Sequence, residues 1–119
     1  MTVETTMFLL TGGDDGAIHL TEVSFEAERK IIFKRIASAI DVHTSTITGV
    51  LSLGDLEFLS VGIDQIIRIW KFDGERLVCR YRAYTYVPDV GGIIEIGVHG
   101  GKRRFVVFGM GMEMITWDD

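Results

Sequence analysis

Few residues of this 119-residue chain have the types and spacing for chemistry. They are three histidines (His19, His43 and His99), the lone Cys79, the acidic turn "GGDDG" at 12–16 and the stretch "GVHGGKRRF" at 97–105. A zinc site needs His and Cys at short paired spacings, and none of the histidines stands so relative to Cys79. Covalent catalysis needs a nucleophile with a base and an orienting group. The chain offers neither a serine elbow nor a Cys–His pair with a third partner. A lone cysteine excludes an internal disulfide and fits a reducing compartment, and Cys79 reads as a small hydrophobe buried in a strand. Asp14 and Asp15 supply two carboxylates, but adjacent aspartates before glycine are common turn formers, and no convergent metal ligands accompany them. Residues 97–105 place glycines ahead of a lysine, as a phosphate loop does. However, Arg103 stands where Ser or Thr is required, and no helix pattern follows. That stretch reads as a hairpin turn. Its basic triplet Lys102, Arg103 and Arg104 is either a solvated tip or a contact for RNA or an acidic partner. Met110, Met112 and Met114 alternate like one strand face packed into a core. The expectation is a chain with no catalytic, cofactor or metal site of its own.

The elements that would position these residues are strands. Hydrophobic residues make up 47% of the chain, enough for a core, while one proline and fourteen glycines suit hairpins better than linkers. A net charge of −5 makes the chain a poor general grip for phosphate backbones. No apolar run approaches the ~20 residues a membrane helix needs, and the N-terminus has no signal-peptide layout. A soluble, cytoplasmic chain without a membrane segment is expected.

Three phrases repeat: "TGGDDGAIHLTEV" at 11–23, "SVGIDQIIRIWKF" at 60–72 and "VFGMGMEMITWDD" at 107–119. With Asp15 set against Asp64, Thr11 meets Ser60, Gly13 meets Gly62, Ile18 meets Ile67 and Leu20 meets Ile69, while Thr21 takes the place of Trp70. In the third phrase Gly109 matches Gly62 and Trp117 matches Trp70, with Gly111 replacing the aspartate and Val107 the serine. Each phrase describes a strand, a tight turn and a second strand of β-branched residues. Further strands are expected at 46–53, 77–84 and 90–98, giving a partial set at 7–41, a full four-stranded set at 46–84 and a partial set at 90–118. Strands apolar on both faces suit small sheets sandwiched between neighbours. Residues 25–40 resist this pattern, because Ile32, Ile36 and Ile40 share a helical stripe among helix formers. Alone they read as helix; the repeat context argues for an outer strand entered through a polar hairpin at 26–29.

The phrases resemble WD repeats, the blades of a β-propeller. In that family a histidine, a hydroxyl residue, a turn aspartate and the tryptophan form a hydrogen-bonded set, and His43, Ser60, Asp64 and Trp70 occupy the matching positions. Val42 replaces the usual glycine before the histidine, and Lys71 replaces the aspartate after the tryptophan. The first phrase keeps only Thr11 and Asp15 of the set, and the third mainly Trp117. The implied fold is all-β: an incomplete set of propeller blades completed by the rest of a longer chain, since a closed propeller takes roughly four to eight blades.

"VGIDQIIRIW" at 61–70, "YVPDV" at 86–90 and the spacing of Gly109, Gly111, Glu113 and Trp117 resemble the carboxyl end of the WD-repeat subunits that partner the tRNA wobble-nucleotide 2′-O-ribose methyltransferase. That resemblance covers about the second half of the chain. It implies a non-catalytic scaffold whose partners are the remaining propeller portion of its parent, the methyltransferase catalytic subunit and, indirectly, tRNA. S-adenosylmethionine would then bind the partner. The alternative is a general WD-repeat protein–protein interaction module of another complex.

Overall fold

The computed structural model describes residues 5–26, 30–39 and 46–118. All its regular elements are strands, arranged as three antiparallel sheets. Sheet 1 contains β1 (Thr5–Gly12), β2 (Ile18–Glu26) and β3 (Lys30–Ala39) in that order. Sheet 2 contains β4 (Ile47–Gly54), β5 (Glu57–Gly62), β6 (Ile66–Phe72) and β7 (Leu77–Tyr84), again in chain order. Sheet 3 contains β8 (Gly92–His99), β9 (Lys102–Gly109) and β10 (Gly111–Trp117), with β9 in the middle. Among the described residues no helix is long and apolar enough to cross a membrane.

The segment with helical periodicity is strand. Lys30–Ala39 pairs with β2 through Phe25↔Ile31, Val23↔Phe33 and Leu20↔Ala37, so its backbone groups are satisfied across the sheet rather than within a turn of helix. Non-local pairing overrides a weak local propensity here. A register shift at Leu20/Thr21 leaves Ile36 and Ala37 both packed against the core beneath sheet 1. This third strand begins at Lys30, while residues 27–29 of the expected entry hairpin and residues 40–45 lie outside the described residues.

The first two repeated phrases build one and the same turn. The Gly16 amide donates to the Gly13 carbonyl at 3.2 Å, and the Gln65 amide to the Gly62 carbonyl at 3.1 Å. The strand registers agree too, with Gly12↔Ile18 in sheet 1 and Val61↔Ile67 in sheet 2. The third phrase differs. Phe108 pairs with Met112 and Phe105 with Ile115, whereas Phe58, which matches Phe105 by sequence, pairs with Trp70. The third hairpin is thus two residues tighter than the phrase alignment implies. Gly111 there has no side chain to hold the longer turn open, and at φ 120 it adopts a conformation aspartate would resist.

The sheets stack through opposite faces. Leu10, Ile18 and Leu20 of sheet 1 meet Phe58, Trp70 and Phe72 of sheet 2 in one buried cluster. Leu59, Val61, Ile67 and Ile69 on the other face of sheet 2 meet Ile93, Phe105 and Val107 of sheet 3 in a second. Because side chains alternate along a strand, adjacent residues such as Phe58 and Leu59 serve different interfaces. Inner-edge strands approach closely: a Cβ at Gly12 would lie 2.6 Å from Ile47, and one at Gly49 2.9 Å from Ile93. The Ile47 amide also donates to the Gly13 carbonyl at 3.0 Å, joining sheets 1 and 2 directly.

Candidate functional site

Of the four residues singled out as a hydrogen-bonded set, three can be followed. Trp70 Nε1 donates to Ser60 Oγ at 2.9 Å in the interior, with Ser60 fully buried. β5 and β6 position this pair, and the polar bond satisfies an indole N–H that burial would otherwise strand. Asp64 Oδ1 accepts the Ile66 amide at 3.1 Å, and Asp15 Oδ1 accepts the Ala17 amide at 3.0 Å in the matching turn. The aspartates are therefore turn builders in both sheets, each bonding the amide two residues on. His43 lies outside the described residues. Thr21, in the place of Trp70, is half-buried in β2.

The basic triplet divides. Gly100 and Gly101, with φ of 61° and 79°, form a two-residue hairpin between His99 and Lys102. Lys102 is exposed and lies 3.9 Å from Asp118. Arg103 turns inward. Its Nε and Nη2 contact the two carboxylate oxygens of Glu95 at 2.6 and 2.8 Å, its Nη1 donates to the Leu53 carbonyl, and its guanidinium stands 5.8 Å from the Phe105 ring centre. This fork ties β9 to β8 and to sheet 2, so the Arg103 guanidinium is engaged within the fold. Arg104 is half-buried on the opposite face.

The Arg103 fork holds the Glu95 carboxyl below the usual glutamate range, against the opposing effect of its partial burial. A carboxyl with a depressed folded-state pKa stabilises the fold above its unfolded value, and that contribution is lost as pH falls through the folded value. Wild-type protein should therefore exceed Glu95→Gln in thermal stability at neutral pH, with the gap closing below pH about 4. Unfolding curves recorded from pH 7 to 3 test this; a gap that stays constant would contradict it. Asp73, in the β6–β7 turn, is likewise held low, first by the Arg76 amide and then by the Glu75 amide, each 2.8 Å from Oδ1.

Sequence reasoning missed the connector between sheets 2 and 3. Thr85, buried despite its polarity, donates through Oγ1 to Glu113 at 2.6 Å and accepts the Val87 amide at 3.2 Å. Its amide donates to the Gln65 carbonyl at 2.9 Å, and Gln65 Nε2 returns a bond to the Thr85 carbonyl at 3.2 Å. Beyond it, the Met110 amide donates to Pro88 and the Gly91 amide to Phe108, at 2.9 and 2.7 Å. Val87 and Val90 fill the second core cluster. The sequence hint was partial: Thr85 and Val87 face inward at a spacing of two, but Val90 does so at a spacing of three, after exposed Pro88 and Asp89.

The remaining candidates are separated. Among the described residues no group of three or more His, Cys, Asp or Glu could hold a metal. His19 pairs through Nδ1 with Ser38 Oγ at 2.7 Å, far in sequence from His99, which ends β8. Cys79 is exposed rather than buried, because β7 is the outer strand of its sheet. Met110, Met112 and Met114 are exposed as well, at 69, 71 and 59%, since no element covers the outward face of sheet 3 among the described residues. A cleft of about 310 Å³ opens between β6–β7 and β10, lined by Ile67, Ile69, Tyr81, Glu113 and Trp117 among others. Tyr81 and Trp117 pack across it with ring centres 5.2 Å apart.

No protein-family model matches this chain, and no curated protein matches it.

Proposed function

We propose that this chain is a stretch of WD-repeat β-propeller that works as a non-catalytic scaffold. The observation that supports the reading is the repeated stacking operation. Sheet 1 meets sheet 2 through the same pair of faces by which sheet 2 meets sheet 3, as Leu10 and Leu59, Ile18 and Ile67, and Phe58 and Phe105 attest. Such head-to-tail contacts leave one face unmatched at each end, and they close into a ring when the rotation allows. The outward faces are apolar as that reading requires: Met7, Leu9 and Phe33 on sheet 1, and Ile94, Phe108, Met112 and Met114 on sheet 3. Further blades of the same polypeptide would cover both.

The resemblance over about the second half of the chain narrows the scaffold to the subunit that serves the tRNA wobble-nucleotide 2′-O-ribose methyltransferase. On this reading the chain shapes a docking platform, and the chemistry and the methyl donor stay on the partner. Deleting residues 86–119 in cells should abolish co-purification of the methyltransferase and remove the wobble 2′-O-methyl group, measured by mass spectrometry of anticodon-loop nucleosides. Normal methylation after deletion would reject the assignment. If the intact protein instead co-purifies with factors of another complex, the general interaction module replaces it. His99→Ala, which alters an exposed hairpin position, should leave methylation intact, whereas its loss in a folded variant would reject the non-catalytic reading.

A further inference from the structure

We propose that Arg68 and Arg82 form a binding site for a phosphomonoester dianion, independent of the scaffold reading above. Arg68 on β6 and Arg82 on β7 are direct register partners. Side chains so opposed share one sheet face, and like charges there are unfavourable unless something neutralises them. Both line a cleft of about 220 Å³ with Cys79, Arg80 and Tyr81, and among the described residues no carboxylate lines it. Arg80 is drawn aside to Glu57 of β5 at 3.0 Å. No hydrogen bond or ion pair holds the Arg68 or Arg82 side chain among the described residues, and Arg68 Nε is buried without an acceptor.

Arginines on an outer strand ordinarily guard a free sheet edge, which accounts for Arg80 and Arg82 by themselves. Arg68 is not on the edge. It sits on the strand inside β7, half-buried, with a buried N–H that costs free energy while it lacks a partner. An oxyanion between the two guanidinia would accept that N–H and offset the repulsion together. A carboxylate brings one charge, whereas a phosphomonoester brings nearly two and three acceptor oxygens, matching two planar forks. The source is a phosphorylated side chain of a partner or a free phosphate.

The test follows the ¹H–¹⁵N signals of Arg68 and Arg82 Nε in the intact protein, during titration with inorganic phosphate and, separately, with a phosphoserine peptide. Sodium chloride at equal ionic strength is the reference. Both signals should shift saturably, and Arg68→Gln or Arg82→Gln should weaken binding about tenfold or more, while Arg76→Gln on the neighbouring turn changes nothing. Tighter binding of the peptide assigns the site to a phosphorylated partner, and equal binding assigns it to free phosphate. Nε signals that stay still, or that move only as far as in chloride, would overturn the proposal even if the variants failed to fold. Full affinity in the Arg68→Gln/Arg82→Gln double variant would overturn it too.

Discussion

Trp70→Ala is expected to destabilise the fold by about 3–5 kcal/mol, as truncation of a buried aromatic residue does. The indole is 4% exposed and stands at the centre of the cluster between sheets 1 and 2, beside Leu10, Leu20, Phe58 and Phe72. Its loss empties that interface and removes the donor that Ser60 accepts at 2.9 Å. The bond itself can be isolated with Trp70→Phe and Ser60→Ala, alone and together. A coupling of about 1 kcal/mol is expected between them. Trp117→Ala should cost clearly less, because Trp117 is only half-buried and matches Trp70 by sequence but not by register. Denaturant unfolding of the variants in the intact protein, compared at constant slope, measures both losses. Equal losses at the two tryptophans would contradict the distinction drawn between the second and third sheets.

Gly109→Val should be nearly as damaging, at about 3 kcal/mol or more, through overpacking joined to lost hydrogen bonds. A Cβ at this position would lie 2.3 Å from the Asp89 carbonyl oxygen and 2.8 Å from that of Pro88. Both are backbone atoms, so no rotamer change can relieve the clash. The connector would have to lift, breaking the Met110–Pro88 and Gly91–Phe108 bonds and drawing Val87 and Val90 out of the second cluster. Hydrogen exchange at the Gly91 and Met110 amides should accelerate alongside the fall in stability. Gly13→Ala is the matched control, since the added Cβ would meet only the Asp15 carboxylate at 3.4 Å. Wild-type stability in Gly109→Val would show that the connector does not dock as described.

These two sites hold the three sheets together. Trp70 joins sheet 2 to sheet 1, and Gly109 lets the 85–91 connector join sheet 2 to sheet 3. Function that depends on how the sheets stack should therefore fail with either variant, although Trp70 is buried and Gly109 acts through backbone packing rather than through a side chain.

Local physics was legible in the amino-acid sequence. The glycine–aspartate turns could be read because Asp15 and Asp64 bond amides only two residues away, a contact that adjacent residues encode without help. Alternation was legible for the same reason: a side-chain period of two assigns Phe58 and Leu59 to opposite faces whatever surrounds them. Hence an all-β chain of repeated hairpins, with both faces of its middle sheet apolar, followed from the residues. The tertiary structure decided everything that depends on a distant partner. Lys30–Ala39 became strand because β2 supplied its hydrogen bonds, and the third hairpin tightened where a glycine replaced the aspartate. Arg103 left its basic triplet for Glu95 and the Leu53 carbonyl, fifty residues away, while Cys79 and the methionines stayed exposed on an outer strand and an uncovered face. A sequence states which face each residue occupies, but burial and pairing belong to whatever packs against that face, and that is a property of the assembled sheets alone.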